Sequence, residues 1–208
     1  MISLKKPLAE FYSLDKCFSP HGTHFEMPEN TQLSFPDRKP DDVTLILCQG
    51  EMTIGRKYND ILIGIAQAPF IDGLSAGMIE RPTEYIYTTQ SLCTGYYLSS
   101  QRVMTLLDEH QLWREAFSWL TWWHRLAETR DNQLIGSSSY DQIRSTLLTM
   151  SDWDENLRSR VGVMHYIQRR TGISRSVIAE VLSALRKGNY IEMYKGKLLK
   201  VNRLPFDY

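Results

Sequence analysis

Between Gly172 and Val201 the chain reads GISRSVIAEVLSALRKGNYIEMYKGKLLKV. Arg175 directly follows Ser174, a residue suited to cap a helix start. A guanidinium there can fork onto the O6 and N7 acceptors of guanine or clamp a phosphate. Ser176 and Ala179 are short enough for close approach to a groove, and Glu180 can accept from cytosine N4 but cannot read guanine. Arg169 and Arg170 precede this set, and Lys195 and Lys197 follow it, as point charges for a phosphate backbone. These residue types predict double-stranded DNA as the partner, contacted by Arg169, Arg170, Ser174, Arg175, Ser176, Ala179, Glu180, Lys195 and Lys197.

Charge is distributed accordingly. The whole chain carries 24 basic and 24 acidic residues, yet Leu157–Arg203 holds eleven Lys/Arg against only Glu180 and Glu192. That segment is +9 and the remainder −9, and a basic block on an acidic body points to a polyanion.

The elements that must position these residues are legible. Ser174 caps a helix in which Val177, Ile178, Val181, Leu182 and Leu185 form one buried stripe. Gly188-Asn189 ends it, since both residues tolerate the left-handed conformation. VGVMHYIQRRTG is a preceding helix with Val163, Tyr166 and Ile167 inward, and a short junction makes the two cross steeply. YIEMYKGKLLKV supplies two strands about Lys195-Gly196. The reading is a winged helix-turn-helix in residues 136–208, its second helix in the major groove and its wing along phosphates. A winged helix used for protein contact is the alternative.

From residue 15 to 98 the chain predicts short strands between turn residues, in a small β-barrel or jelly roll. Residues 99–135 are predicted helical. HQLWREAFSWLTWWHRLAETRDN places Trp113, Ala116, Phe117, Leu120, Trp123 and Ala127 on one stripe and Leu112, Trp119 and Leu126 on another. Two apolar faces need two partners, here the barrel and the same helix of a second copy, so the first stripe is the expected homodimer interface. GSSSYDQ reads as a hinge with Ser138 or Ser139 capping the next helix, and SDWDENL as a linker. The fold class expected is therefore α+β: an N-terminal β-barrel (jelly roll) at 1–98, a long dimerisation helix at 99–135, and the winged unit.

This arrangement resembles the cyclic-AMP receptor protein/fumarate-nitrate regulator family over nearly the whole chain. The likeness is strongest in TGISRSVIAEVLSALRKGNYI, and VTLILCQGEMTIG looks like the family's hairpin around a Lys/Gln-Gly pair. It is similar to a divergent enterobacterial branch, which implies a transcription factor affecting oxidative-stress resistance. Arg175 matches the family's first base-contacting Arg, whereas the following family Glu is Ser176 and the later Arg falls at Glu180. The resemblance implies a DNA site different from the cyclic-AMP receptor's, and RNA polymerase as a further partner.

Other chemistry is poorly supported. GIAQAPFIDGLSAGMIERPTEY lacks the Gly-Glu and Arg-Ser/Thr pairing of a cyclic-nucleotide phosphate turn, and Arg81 precedes Pro82, which offers no amide donor. Cys17, Cys48 and Cys93 lack the number and clustering of an iron–sulfur site. Haem needs only one ligand, and His24 or His124 would be it, but each reads as an ordinary histidine. His21, His24 and Glu26 suggest a metal-dependent barrel enzyme only at unfavourable spacing. No cofactor, metal or catalytic residue is expected. Cys17, after Lys16, is the most exposed redox candidate, while Cys48 and Cys93 lie in apolar strands. No membrane span or signal peptide is expected, so the location expected is cytoplasmic.

Overall fold

A computed structural model describes residues 4–35, 42–79 and 85–206. The chain divides into two compact units, Met1–Ala127 and Glu128–Tyr208.

The first unit opens with α1 (Leu8–Phe18), which buries Phe11, Leu14 and Phe18 at spacings of three and four. Strands were expected from residue 15, but Asp15–Phe18 completes this helix. The strands proper are β1 (Thr23–Met27), β2 (Val43–Gln49), β3 (Glu51–Arg56), β4 (Leu62–Gln67), β5 (Phe70–Asp72), β6 (Tyr85–Thr89) and β7 (Cys93–Ser99). They form a four-stranded sheet ordered β1-β7-β2-β5 and a three-stranded sheet ordered β4-β3-β6. Among the described residues these sheets do not join into a closed barrel. They share one core instead. Phe35 lies 6.4 Å from the ring of Tyr87 in one sheet and 5.1 Å from Tyr97 in the other.

The expected Gln-Gly hairpin in VTLILCQGEMTIG is a corner. β2 pairs with β5 and β7, whereas β3 pairs with β4 and β6, so Gln49-Gly50 passes the chain from one sheet to the other. Gly50 has φ +87, and a Cβ there would lie 2.3 Å from the Leu92 carbonyl oxygen. Only glycine fits such a corner.

Helix α2 (Ser100–His110) is capped by Ser99, whose hydroxyl accepts from the Arg102 amide at 3.2 Å. Helix α3 (Trp113–Leu134) follows. The boundary between the units falls inside α3, so α2 and the tryptophan-bearing part of α3 belong to the sandwich unit and residues 99–135 form no body of their own. Trp119 is 1 % exposed and donates its indole N–H to the Ile71 carbonyl at 2.9 Å, which satisfies a buried donor. Phe70 meets Trp119, Trp122 and Trp123 edge-on at 5.3–6.3 Å.

The expected interface stripe is therefore split. Ala116 is buried with Trp119, and Leu120 and Trp123 pack half-buried against the same core. Ala116 is a core residue because it lies one turn from Trp119 on the sheet-facing side. Trp113, Phe117 and Ala127 stay on the outside, with Phe117 71 % exposed.

In the second unit, α4 (Ser139–Ser151) is capped by Ser138, which accepts from the Asp141 amide at 3.1 Å. The expected linker SDWDENL is partly helical, because Asp154 caps a short α5 (Glu155–Arg160). Then come α6 (Val163–Thr171), α7 (Arg175–Lys187), β8 (Ile191–Tyr194) and β9 (Lys197–Val201). Ile143, Leu147, Met150, Leu157, Val163, Ile167, Ile178, Leu185 and Leu198 are the fully buried heart of this unit. The Pro205 carbonyl accepts from the Tyr140 hydroxyl at 2.8 Å and from Arg144 Nε at 2.9 Å, which fixes the chain end to α4. Among the described residues no helix is long and apolar enough to cross a membrane.

Candidate nucleic-acid interface

Helix α6 ends at Gly172, whose φ of +77 is the left-handed cap that lets the chain turn at once into α7. The Ser174 hydroxyl accepts from the Val177 amide at 3.5 Å and lies 3.1 Å from Ser176 Oγ. Two faces of α7 then diverge. Ile178, Val181, Leu182 and Leu185 are buried, while Arg175, Ser176, Ala179, Glu180 and Ser183 are exposed. The helix stops at Gly188, and Asn189 takes the left-handed turn with φ +56.

Val177 departs from the expected buried stripe. It is 37 % exposed and joins the outward face of the first turn. The helical wheel held that signal: Val177 lies at the margin of the arc spanned by Ile178, Val181, Leu182 and Leu185.

The wing is a tight hairpin. Lys195 and Gly196 both have positive φ, +47 and +78, the signature of a primed two-residue turn. Lys195 is exposed with its ammonium 5.3 Å from the Tyr194 ring centre, and Tyr194 is itself 61 % exposed. The Val163 amide donates to the Gly196 carbonyl at 3.0 Å, tying the wing to the start of α6.

Two expected phosphate contacts sit elsewhere. Arg170 is 7 % exposed, and its guanidinium donates to Gln133 Oε1 at 2.8 Å. It also holds the Tyr166 phenol back down against the rise that burial causes. Arg170 lies on the inward face with Tyr166 and Ile167, where it serves the fold. Lys197 is half-buried and donates its ammonium to the Arg160 carbonyl, bracing the wing. Arg169, on the next face round, is half-buried, and Ser174 is exposed.

No cluster of three or more His, Cys, Asp or Glu placed to hold a metal occurs among the described residues. His24 and Glu26 share one face of β1, with His24 Nε2 3.1 Å from the Ser19 carbonyl, while His21 lies in the preceding turn. Burial raises all three thiols, and it pushes Cys48 from 9.0 to about 11, with Asp15 adding to the rise. A neutral thiol is a poor nucleophile, so none of the three is primed as a thiolate. Arg81 and Pro82 lie outside the described residues.

Residues 139–206 match the family described as winged helix-turn-helix DNA binding. The fold of the whole chain is that of the c-di-GMP responsive global regulator CLP of Xanthomonas campestris, with a TM-score of 0.75 at 18% identity over 92% of this chain and 99% of that one. A CRP-family transcriptional regulator of Thermus thermophilus gives 0.65 at 15% identity, over 86% of this chain and 92% of that one. The exposed α7 face thus belongs to a winged helix-turn-helix of the DNA-binding type, carried on a chain with the Crp/Fnr fold. The inhibitor of hydrogen peroxide resistance of Salmonella typhimurium is 52% identical over the full length of both chains. The chain belongs to that protein's family.

Proposed function

We propose that this chain acts as a homodimer that binds specific duplex sites in the cytoplasm and sets the expression of genes for peroxide resistance. One observation carries the reading: Arg175 and Ser176 open α7 exposed, with Val177 37 % exposed beside them, while Ile178, Val181, Leu182 and Leu185 anchor the same helix in a core. Arg175 is there to read a base edge, Glu180 to select cytosine, and Lys195 to neutralise phosphate from the wing. The outward residues Trp113, Phe117 and Ala127 of α3 provide an apolar strip for a second copy. Two heads would then span half-sites roughly 34 Å apart. RNA polymerase is the further partner such a regulator would engage.

The sandwich is proposed to work without a cyclic nucleotide, since Phe35, Tyr87 and Tyr97 meet between its sheets. The link to peroxide rests on the name of the 52% identical relative. The deciding experiment is genome-wide footprinting of purified protein with no ligand added, paired with peroxide survival of a deletion strain. Sequence-selective protection and increased survival are expected. Uniform binding at every sequence, or none at low salt, overturns the reading.

A further inference from the structure

We infer that Val177 is a specificity determinant that reads the 5-methyl group of a thymine, an inference resting on α7 as the DNA-reading helix. Four observations converge. Val177 belongs to the first turn of α7, two residues after Arg175, where a recognition helix meets base edges. Its side chain is 37 % exposed although Ile178, Val181 and Leu182 beside it are buried. Its amide is held by the Ser174 hydroxyl, which fixes the position of the turn. A β-branched side chain has one strongly preferred χ1 rotamer in a helix, so its two methyls present a fixed apolar surface.

The neighbouring exposed groups exclude rival uses of this spot. Arg175, Ser176 and Glu180 are polar, and Ala179 is too short to reach far, so Val177 is the large apolar group in the outward first turn. In the major groove the thymine methyl is the apolar feature of a base pair, and aliphatic side chains recognise it by contact. Arg175 and Glu180 choose among hydrogen-bonding edges, and Val177 adds a reading those two cannot make. Cytosine, which lacks the methyl, is thereby told from thymine at that position.

The test uses the full-length protein and duplexes recovered from genomic fragments by the wild type. Each thymine is replaced in turn by deoxyuridine, which removes only the methyl. Wild type is expected to lose about fourfold in affinity at one position per half-site, the value of one buried methyl-sized contact. Val177→Ala should bind the uracil and thymine duplexes equally while keeping its selectivity at the guanine and cytosine positions. Because the side chain is exposed, the variant should unfold at the same urea concentration as wild type. Wild-type indifference to every methyl, or an undiminished methyl preference in Val177→Ala, overturns the inference and leaves the DNA-reading helix standing. Failure of wild type to recover any selective duplex overturns both.

Discussion

Arg170 donates its guanidinium N–H to Gln133 Oε1 at 2.8 Å, joining α6 to the last turns of α3 inside the second unit. This cation therefore belongs to the architecture. Arg170→Ala should lower stability by about 1–3 kcal/mol, because half-buried Gln133 and the buried Tyr166 phenol lose their bonds to it. The salt dependence of duplex binding should be unchanged. Urea unfolding alongside a salt titration separates these outcomes.

Lys195 and Lys197 should differ although two residues apart. Lys195→Ala removes an exposed wing charge and should reduce the slope of log affinity against log salt by about 0.9 for one phosphate contact. Lys197→Ala unlatches the wing from the Arg160 carbonyl. Its main signature should be faster exchange of the Val163 amide, which donates to the Gly196 carbonyl, seen by hydrogen–deuterium exchange. Equal slope changes in both variants would contradict this division.

Arg175→Ala should cost about 1–3 kcal/mol at the preferred site and relax selectivity at one base position, the value of the bidentate pair to guanine proposed for it. Selection of binding sites from a random library, performed on both proteins, reads this directly.

Along α3, neighbouring aromatics should behave in opposite ways. Phe117→Glu puts a charge on an exposed strip and should make the protein sediment as a monomer if the proposed dimer forms there, leaving the fold intact. Trp119→Ala empties a core site and should cost about 3–5 kcal/mol of stability. A variant Phe117→Glu that sediments as a dimer would remove this helix from the interface.

Cys48 should alkylate slowly. Its thiol is pushed up to about 11 by burial, so iodoacetamide labelling of native protein at pH 8 should lag behind that of the unfolded chain. The sign of the linked stability follows. The folded state holds the proton more tightly, so this contribution is fully present below pH 9.0 and is lost as pH climbs towards 11. The difference between wild type and Cys48→Ser across that window, measured by thermal unfolding, isolates it.

How far the sequence could be read depended on how strongly each pattern was forced. The winged unit was legible because Ser174, Gly172 and the Lys195-Gly196 turn are local signals that act on their own residues. Helix α1 was not read, since Phe11, Leu14 and Phe18 sit among aromatics that also suit strands. Pairing was hidden altogether: nothing local tells Gln49-Gly50 whether β2 will bond to β3 or to β7. The outward set on α7 followed from helical periodicity, but Arg170 and Lys197 did not declare their inward partners. Charge alone does not say which way a long side chain turns, and Gln133 lies 37 residues from Arg170 in sequence.

The hairpin tip carries one more implication. Lys195 occupies a backbone conformation with φ +47 that Asn or Gly would adopt more easily. The protein thus keeps an ammonium where the peptide geometry would prefer something else. Exchanging Lys195 for Asn should make the molecule harder to melt and poorer at holding a duplex, so durability and occupancy would move in opposite directions from a single codon.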